Sequence, residues 1–260
     1  MLKALNTAAT GMVAQQTRID VTANNMANVN TTGFRRARAE FQDLLYQTVR
    51  RPGGPTADGG TQPSGIQVGH GTRIVATSQI HRQGSLLQTE GPLDLAIEGS
   101  GFLQVRRPNG DLAFTRAGNL KTDAQGQLVN VDGYPLEPGL TIPPDAVSVT
   151  ITPEGLLSVV TAGQTAAQEI GQIQLAGFAN PGGLEAIGRN LFVPTTASGE
   201  PIVAAPGQEG LGTVAQGFLE GSNVEVVTEM LDLITSQRAY EVNQKVIEAA
   251  DEMLRRTTSR

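Results

Sequence analysis

The feature that most constrains this chain is a seven-residue apolar repeat found at both of its ends. Leu5, Met12, Ile19 and Met26 recur at that interval, Leu2, Ala9 and Ala23 fill companion positions, and Gln16 interrupts them. Near the C-terminus Val226, Leu233, Tyr240, Ile247 and Leu254 repeat the pattern, broadened by Ala239, Val242, Val246, Ala249 and Met253. A seven-residue interval puts side chains on one stripe of a helix, so each end predicts a long helix with a coiled-coil-like seam. Gly11 is the only glycine in the first 30 residues, which hold no proline, and neither residue occurs from Val224 onward. Asn28, Asn30, Thr31, Thr32 and Gly33 carry the turn chemistry that ends the first helix. Ser222 and Asn223 are placed to cap the second, with Glu225 completing a capping box from Ser222. Arg255, Arg256 and Arg260 then sit where positive charge complements the helix dipole. The two stripes match, so the helices are expected to pair and bring the termini together. Such a pair is marginal by itself and is expected to be ordered where many copies pack together.

Between the helices the pattern changes to β and loop. Residues 51 to 71 are rich in Gly and Pro and poor in large apolar side chains, as in a linker or extended loop. From about Ile74 to Pro201 short β-prone runs alternate with turns. Leu93 to Ile97, Gly101 to Val105, Val147 to Ile151 and Leu156 to Val160 read as strands. Pro108-Asn109-Gly110-Asp111 and Asp123-Ala124-Gln125-Gly126 read as hairpin turns. The predicted fold class is α+β, with a mainly antiparallel β domain inserted between two pairing helices. The predicted boundaries are 1–34 for the first helix, 35–73 for linker and loop, 74–201 for the β domain, 202–221 for a return linker and 222–260 for the second helix.

Composition excludes several classes of function. A net charge of -6 does not supply the basic face of a nucleic-acid binder. The absence of cysteine removes disulfides, thiolate metal sites and a cysteine nucleophile. No apolar run approaches the roughly 20 residues of a membrane span, so no membrane insertion is expected. The N-terminus lacks the apolar core of a cleaved secretory signal. There is no Walker loop, no G-x-S-x-G and no H-E-x-x-H. His70 and His81 are eleven residues apart without ligand spacing and read as surface or packing residues. Asp94 and Glu98 share a strand face too widely spaced for direct acid–base coupling. Gly99-Ser100-Gly101 reads as a strand-to-strand turn in preference to a phosphate loop. No enzyme activity, cofactor or metal is expected.

The string Ala23-Asn24-Asn25-Met26-Ala27-Asn28-Val29-Asn30-Thr31-Thr32-Gly33-Phe34-Arg35 resembles the signature of the flagellar basal-body rod and hook family. Ala9-Thr10-Gly11-Met12, Asp94 to Phe102, Glu220-Gly221-Ser222-Asn223-Val224 and Gln237-Arg238-Ala239-Tyr240-Glu241 are similar to further family motifs. Phe41 to Thr48, followed by Pro63 to Gly69, resembles an insert of the distal-rod members that hook proteins lack. Met26, where leucine is commoner, and the Gly-His-Gly around His70 depart from the pattern. The resemblance implies a structural subunit of the distal rod that self-assembles into a rigid helical tube and carries motor torque to the hook. It implies export by the flagellar type III apparatus without signal cleavage, and residence in the basal body from periplasm to outer membrane. Implied partners are further copies of itself, proximal rod proteins, hook protein, the P- and L-ring proteins and the export apparatus. The alternatives are another rod or hook subunit of the family, or a cell-wall-binding or cell-wall-hydrolysing β module.

Under the same resemblance the residues expected at subunit interfaces are Leu5, Met12, Ile19, Met26, Val226, Leu233, Tyr240, Ile247 and Leu254 from the stripes. Asn24, Asn25 and Asn28 join them as makers of lateral hydrogen bonds. The Arg35, Arg36 and Arg38 cluster is read as pairing with acidic groups of a neighbouring subunit or staying solvated, in preference to binding phosphate.

Overall fold

The computed structural model describes residues 2–53, 63–163 and 166–258. They fall into two units, one of Met1–Met26, Ala37–Ser78 and Glu225–Arg260, the other of Ala27–Arg36 and Gln79–Val224. The fold class is α+β, as the sequence predicts.

In the first unit α1 spans Leu2–Ala27 and α2 spans Val226–Thr258. They pair antiparallel. Asn25 meets Glu229, Arg18 meets Asp232, and Gly11 lies against Asn243. The start of α2 differs from the predicted capping box. Its first helical bond runs from the Glu229 N–H to the Glu225 carbonyl, and the Glu225 carboxylate accepts from the Thr228 hydroxyl. At the other end Arg255 and Arg256 pair with Asp251 and Glu252 one turn back; Arg260 lies outside the described residues. Ala37–Asp43 pairs with Thr72–Gln79, and Tyr46–Arg50 pairs antiparallel with Ile66–Gly69. These strands occupy much of the stretch read as linker. They are exposed on most positions, their apolar side chains included, and so present no buried face of the kind by which strands are read in a sequence.

The second unit is built on an antiparallel sheet in the order Glu185–Gly188, Leu191–Val193, Leu112–Thr115, Phe102–Arg106, Leu175–Gly177, Ile202–Ala204, with Leu136–Glu137 also on Phe102–Arg106. Because side chains alternate between faces, Leu103, Val105 and Ala113 enter a large aliphatic core with Leu95, Ile97, Leu157 and Ile173. Phe102 and Phe114 enter a smaller cluster on the opposite face with Ala176 and Phe192. A three-stranded sheet, Ala146–Ile151, Leu156–Thr161 and Gln168–Gln172, closes the large core. Both predicted hairpin turns form, with Gly110 at φ 88° and Gly126 at φ 80°. Gly99-Ser100-Gly101 joins Leu95–Glu98 to Phe102–Arg106, as a strand-to-strand turn. The stretch read as a return linker carries the strands Ile202–Ala204, Thr213–Gln216 and Phe218–Glu220. Their partners lie up to 134 residues away, from Phe218–Gln88 to Glu220–Leu86, and so leave little local signal.

Candidate assembly interface

The line of contact between α1 and α2 is small and polar. Ala8, Ala14, Thr22 and Asn25 are buried on α1, and Glu229, Ser236 and Ala250 on α2. Glu229, Ser236, Asn243 and Ala250 form one seven-residue column, and Gly11, Arg18 and Asn25 form its counterpart. A Cβ on Gly11 would lie 3.0 Å from Asn243 Nδ2, so α1 passes close to the Asn243 side chain there. Arg18 Nη2 donates to Asp232 Oδ1 at 2.7 Å.

The predicted apolar stripes lie beside this line. Leu5, Met12, Ile19 and Met26 are partly buried, as are Leu233, Tyr240, Ile247 and Leu254, while Val226 is exposed. The helices therefore pair as expected, but through columns next to the ones that the apolar repeat marks. Glu229, Ser236 and Asn243 are polar, so an apolar-period reading passes over them. What remains uncovered on α2 is a run of large apolar side chains, Val227 at 67 % exposure, Leu231 at 59 %, Met230 and Ile234. Val242, Val246 and Met253 continue it toward the C-terminus, and Val13 is exposed on α1.

The asparagines separate into distinct roles. Asn24 is exposed. Asn28 accepts from the Thr31 hydroxyl in the turn after α1. Asn25 is 1 % exposed and works inside the chain. Its Nδ2 donates to the Ala37 carbonyl at 2.8 Å and to Glu229 Oε2 at 3.1 Å, and its Oδ1 accepts the Ala37 N–H at 2.9 Å. Its amide is thus a surrogate strand partner for the residue that opens the first strand, a different role from the expected lateral bond.

In the second unit the expectation for Arg35 is overturned. It is buried and pairs with a carboxylate of its own chain, Nη2 to Glu220 Oε1 at 2.8 Å. Glu220 is fully buried and also accepts from Arg116 Nε at 2.8 Å and from the Gly84 N–H at 2.9 Å. Arg116 also donates from Nη1 to the carbonyls of Gly99 and Gly101 and from Nη2 to that of Ile97. Burial draws Arg116 below its ordinary pKa, and the charge of Glu220 acts against that pull. Gly33, at φ 70°, donates its N–H to the Glu220 carbonyl at 2.8 Å. A Cβ there would come within 2.7 Å of the Ala117 backbone nitrogen, so both φ and space demand glycine. Arg38 is exposed and pairs with Glu40 two residues on. His81 stacks edge-on against Phe102 and Phe192, and burial, with Arg35 and Arg116 nearby, pushes its pKa down to about 4. His70 is exposed. Among the described residues no group of three or more His, Asp or Glu side chains is placed to hold a metal ion, and no helix is long and apolar enough to cross a membrane.

Glu220 and Arg116 carry no sequence signal of a buried pair, since their separation of 104 residues hides it. The signature segment around Arg35 and the segment around Glu220 nonetheless meet at one point.

Comparison with known proteins decides the family. The chain is 52 % identical over 258 residues to a flagellar basal-body rod protein FlgG of Caulobacter vibrioides, covering 99 % of this chain and 98 % of that one. The chain belongs to the FlgG family of flagellar basal-body rod proteins. A FlgG of Borreliella burgdorferi is 48 % identical over 98 % of this chain and 97 % of its own, and one of Bacillus subtilis 40 % over 98 % and 97 %. Three family models match along the chain. Residues 5–35 match the flagella basal body rod protein model, 96–159 the flagellar hook protein FlgE/F/G D1 domain, and 215–260 the flagellar basal body rod FlgEFG protein C-terminal model. The first and last of these hold most of α1 and all of α2, together with Arg35 and Glu220. Arg116, the third charged member of the buried cluster, lies in the matched segment 96–159.

Proposed function

We propose that this chain is a structural subunit of the distal rod, assembling with copies of itself into a rigid helical tube in the flagellar basal body. The observation that carries this is the uncovered apolar run on α2 in a FlgG-family chain. Val227, Met230, Leu231 and Ile234 are large, adjacent on the helix and exposed. A row of that kind on a single chain marks a surface that a further protein covers, and helical self-assembly supplies it through a heterologous, non-closing contact. The tube spans the periplasm to the outer membrane and transmits motor torque to the hook. Its neighbours are proximal rod proteins, hook protein and the P- and L-ring proteins, and it reaches them through the type III export apparatus with its N-terminus uncleaved. The role is mechanical, without catalysis.

The test is electron microscopy of the concentrated purified chain and of basal bodies from cells carrying a tagged copy. Tubes in the first, and label along the rod in the second, are the expected results. A chain that stays monomeric at high concentration and turns over muropeptides would overturn the proposal in favour of a cell-wall enzyme.

A further inference from the structure

The chain passes between its two units four times, after Met26, Arg36, Ser78 and Val224. Inside the second unit, the residues beside these crossings are bonded to one another. Asn223 Oδ1 accepts the Arg36 N–H at 2.7 Å, and its Nδ2 donates to the carbonyls of Ile80 at 2.7 Å and Arg82 at 2.8 Å. The Ile80 N–H donates to the Arg36 carbonyl at 2.8 Å. Three residues away, Glu220 gathers Arg35, Arg116 and the N–H groups of Gly33 and Gly84, one to its backbone and the rest to its carboxylate. Each crossing thus has a bonded residue within about six positions of it on the second-unit side.

We propose that Glu220 and Asn223 form a torsional clasp, which holds these crossings at fixed mutual spacing so that twist entering through one is shared by all. This rests on the rod assignment above for its purpose, though not for its geometry. A single chain crossing swivels about two soft dihedrals per residue. Crossings tied side by side by directional bonds lose that freedom together. The choice of polar groups fits the role. Apolar contacts are non-directional and slide under shear, whereas hydrogen bonds weaken steeply once their angle is lost. A buried ion cluster adds little net stability over an apolar replacement, so its presence between the signature segment and the segment leading to α2 calls for a role other than stability. Glu220 and Asn223 act as positioning residues, through the segments they hold.

Two variants test the clasp in the full-length chain. Asn223→Ala removes three bonds and leaves the ion cluster intact; Glu220→Gln keeps the shape and removes the charge. Hydrogen–deuterium exchange is expected to speed up about tenfold or more at Arg36 and Ile80 in the first variant, and at Gly33 and Gly84 in the second, with Phe102–Arg106 and Leu112–Thr115 unchanged. In cells carrying either variant, rod number by electron microscopy and swimming in dilute medium should match wild type, while swimming in viscous medium falls. Faster exchange with undiminished high-load swimming would overturn the proposal, as would unchanged exchange in Asn223→Ala. Loss of rods from a variant whose β strands stay protected would also overturn it, by assigning the clasp to assembly. If deleting the gene left rods intact, the rod assignment would fail instead, and the exchange data would still decide whether the clasp is rigid. Should Glu220→Gln fail to fold, Asn223→Ala still gives the exchange at Arg36 and Ile80, the rod count and the swimming in viscous medium.

Discussion

At the scale of single residues, primary-amide side chains do work usually given to strands. Asn25 exchanges two bonds with the backbone of Ala37. Asn223 holds three segments. Gln216 covers the edge of Ala146–Ile151, accepting the Ile151 N–H and donating to the Val149 and Pro92 carbonyls. An amide donates and accepts at adjacent atoms, so it satisfies a backbone edge that no strand reaches. His81 shows the opposite logic, a titratable group kept neutral among aromatic rings. Its pKa falls from 6.5 to about 4 on folding, chiefly through burial. The unfolded chain therefore binds the proton more readily between those values. The stability that neutral His81 contributes is complete above about pH 6.5 and is lost as pH falls through about 4. Relative to His81→Leu, the chain should lose about 2 kcal/mol over that window, after discounting for the exposed part of the ring. Urea unfolding of both chains from pH 7 to 4 measures it; parallel curves would show that His81 is not the titrating group.

At the scale of elements, the two helices meet along one line and leave other apolar side chains uncovered. Close approach at Gly11 and the polar column through Glu229, Ser236 and Asn243 serve the pair itself. The larger apolar side chains flank that line or face away from it. This predicts two different mutational phenotypes on one helix. Leu231→Asp, at a 59 % exposed position, should leave chain stability within about 0.5 kcal/mol of wild type and abolish tube formation. Leu233→Asp, at a partly buried position, should abolish assembly and also cost on the order of 1–3 kcal/mol. Urea titration and sedimentation separate the two effects. Normal tubes from Leu231→Asp would show that the exposed row is not a subunit contact.

At the scale of the whole molecule, the element that sets a straight rod apart from a bent hook is proposed to be the insert at residues 46 to 69. Its described parts form the strand pair Tyr46–Arg50 and Ile66–Gly69; residues 54–62 lie outside the described residues. Tyr46, Val49, Ile66 and Val68 are exposed on it, an apolar surface of the kind that a neighbouring protein covers. Laid between subunits of a tube, it would block the axial sliding that bending needs. Deleting about residues 50 to 66 should give a polymer that assembles but curves, as read by electron microscopy. Straight tubes from a stably expressed deletion would assign stiffness to contacts elsewhere.

The sequence by itself determined what rests on local pattern. The seven-residue repeats and the absence of Gly and Pro after Val224 fixed two long helices, because a helix stripe is written every few residues. Asn109-Gly110 and Gln125-Gly126 placed hairpin turns, because a positive φ asks for glycine. Only the tertiary structure decided which column of each helix pairs, since helices separated by some 200 residues choose their contact line by close approach and polar matching, not by apolarity alone. It likewise decided that Arg35, which reads as a solvated or intersubunit charge, is buried against Glu220, 185 residues further along. No local pattern announces a burial that depends on Arg116 and the Gly84 N–H arriving at the same carboxylate from two other segments.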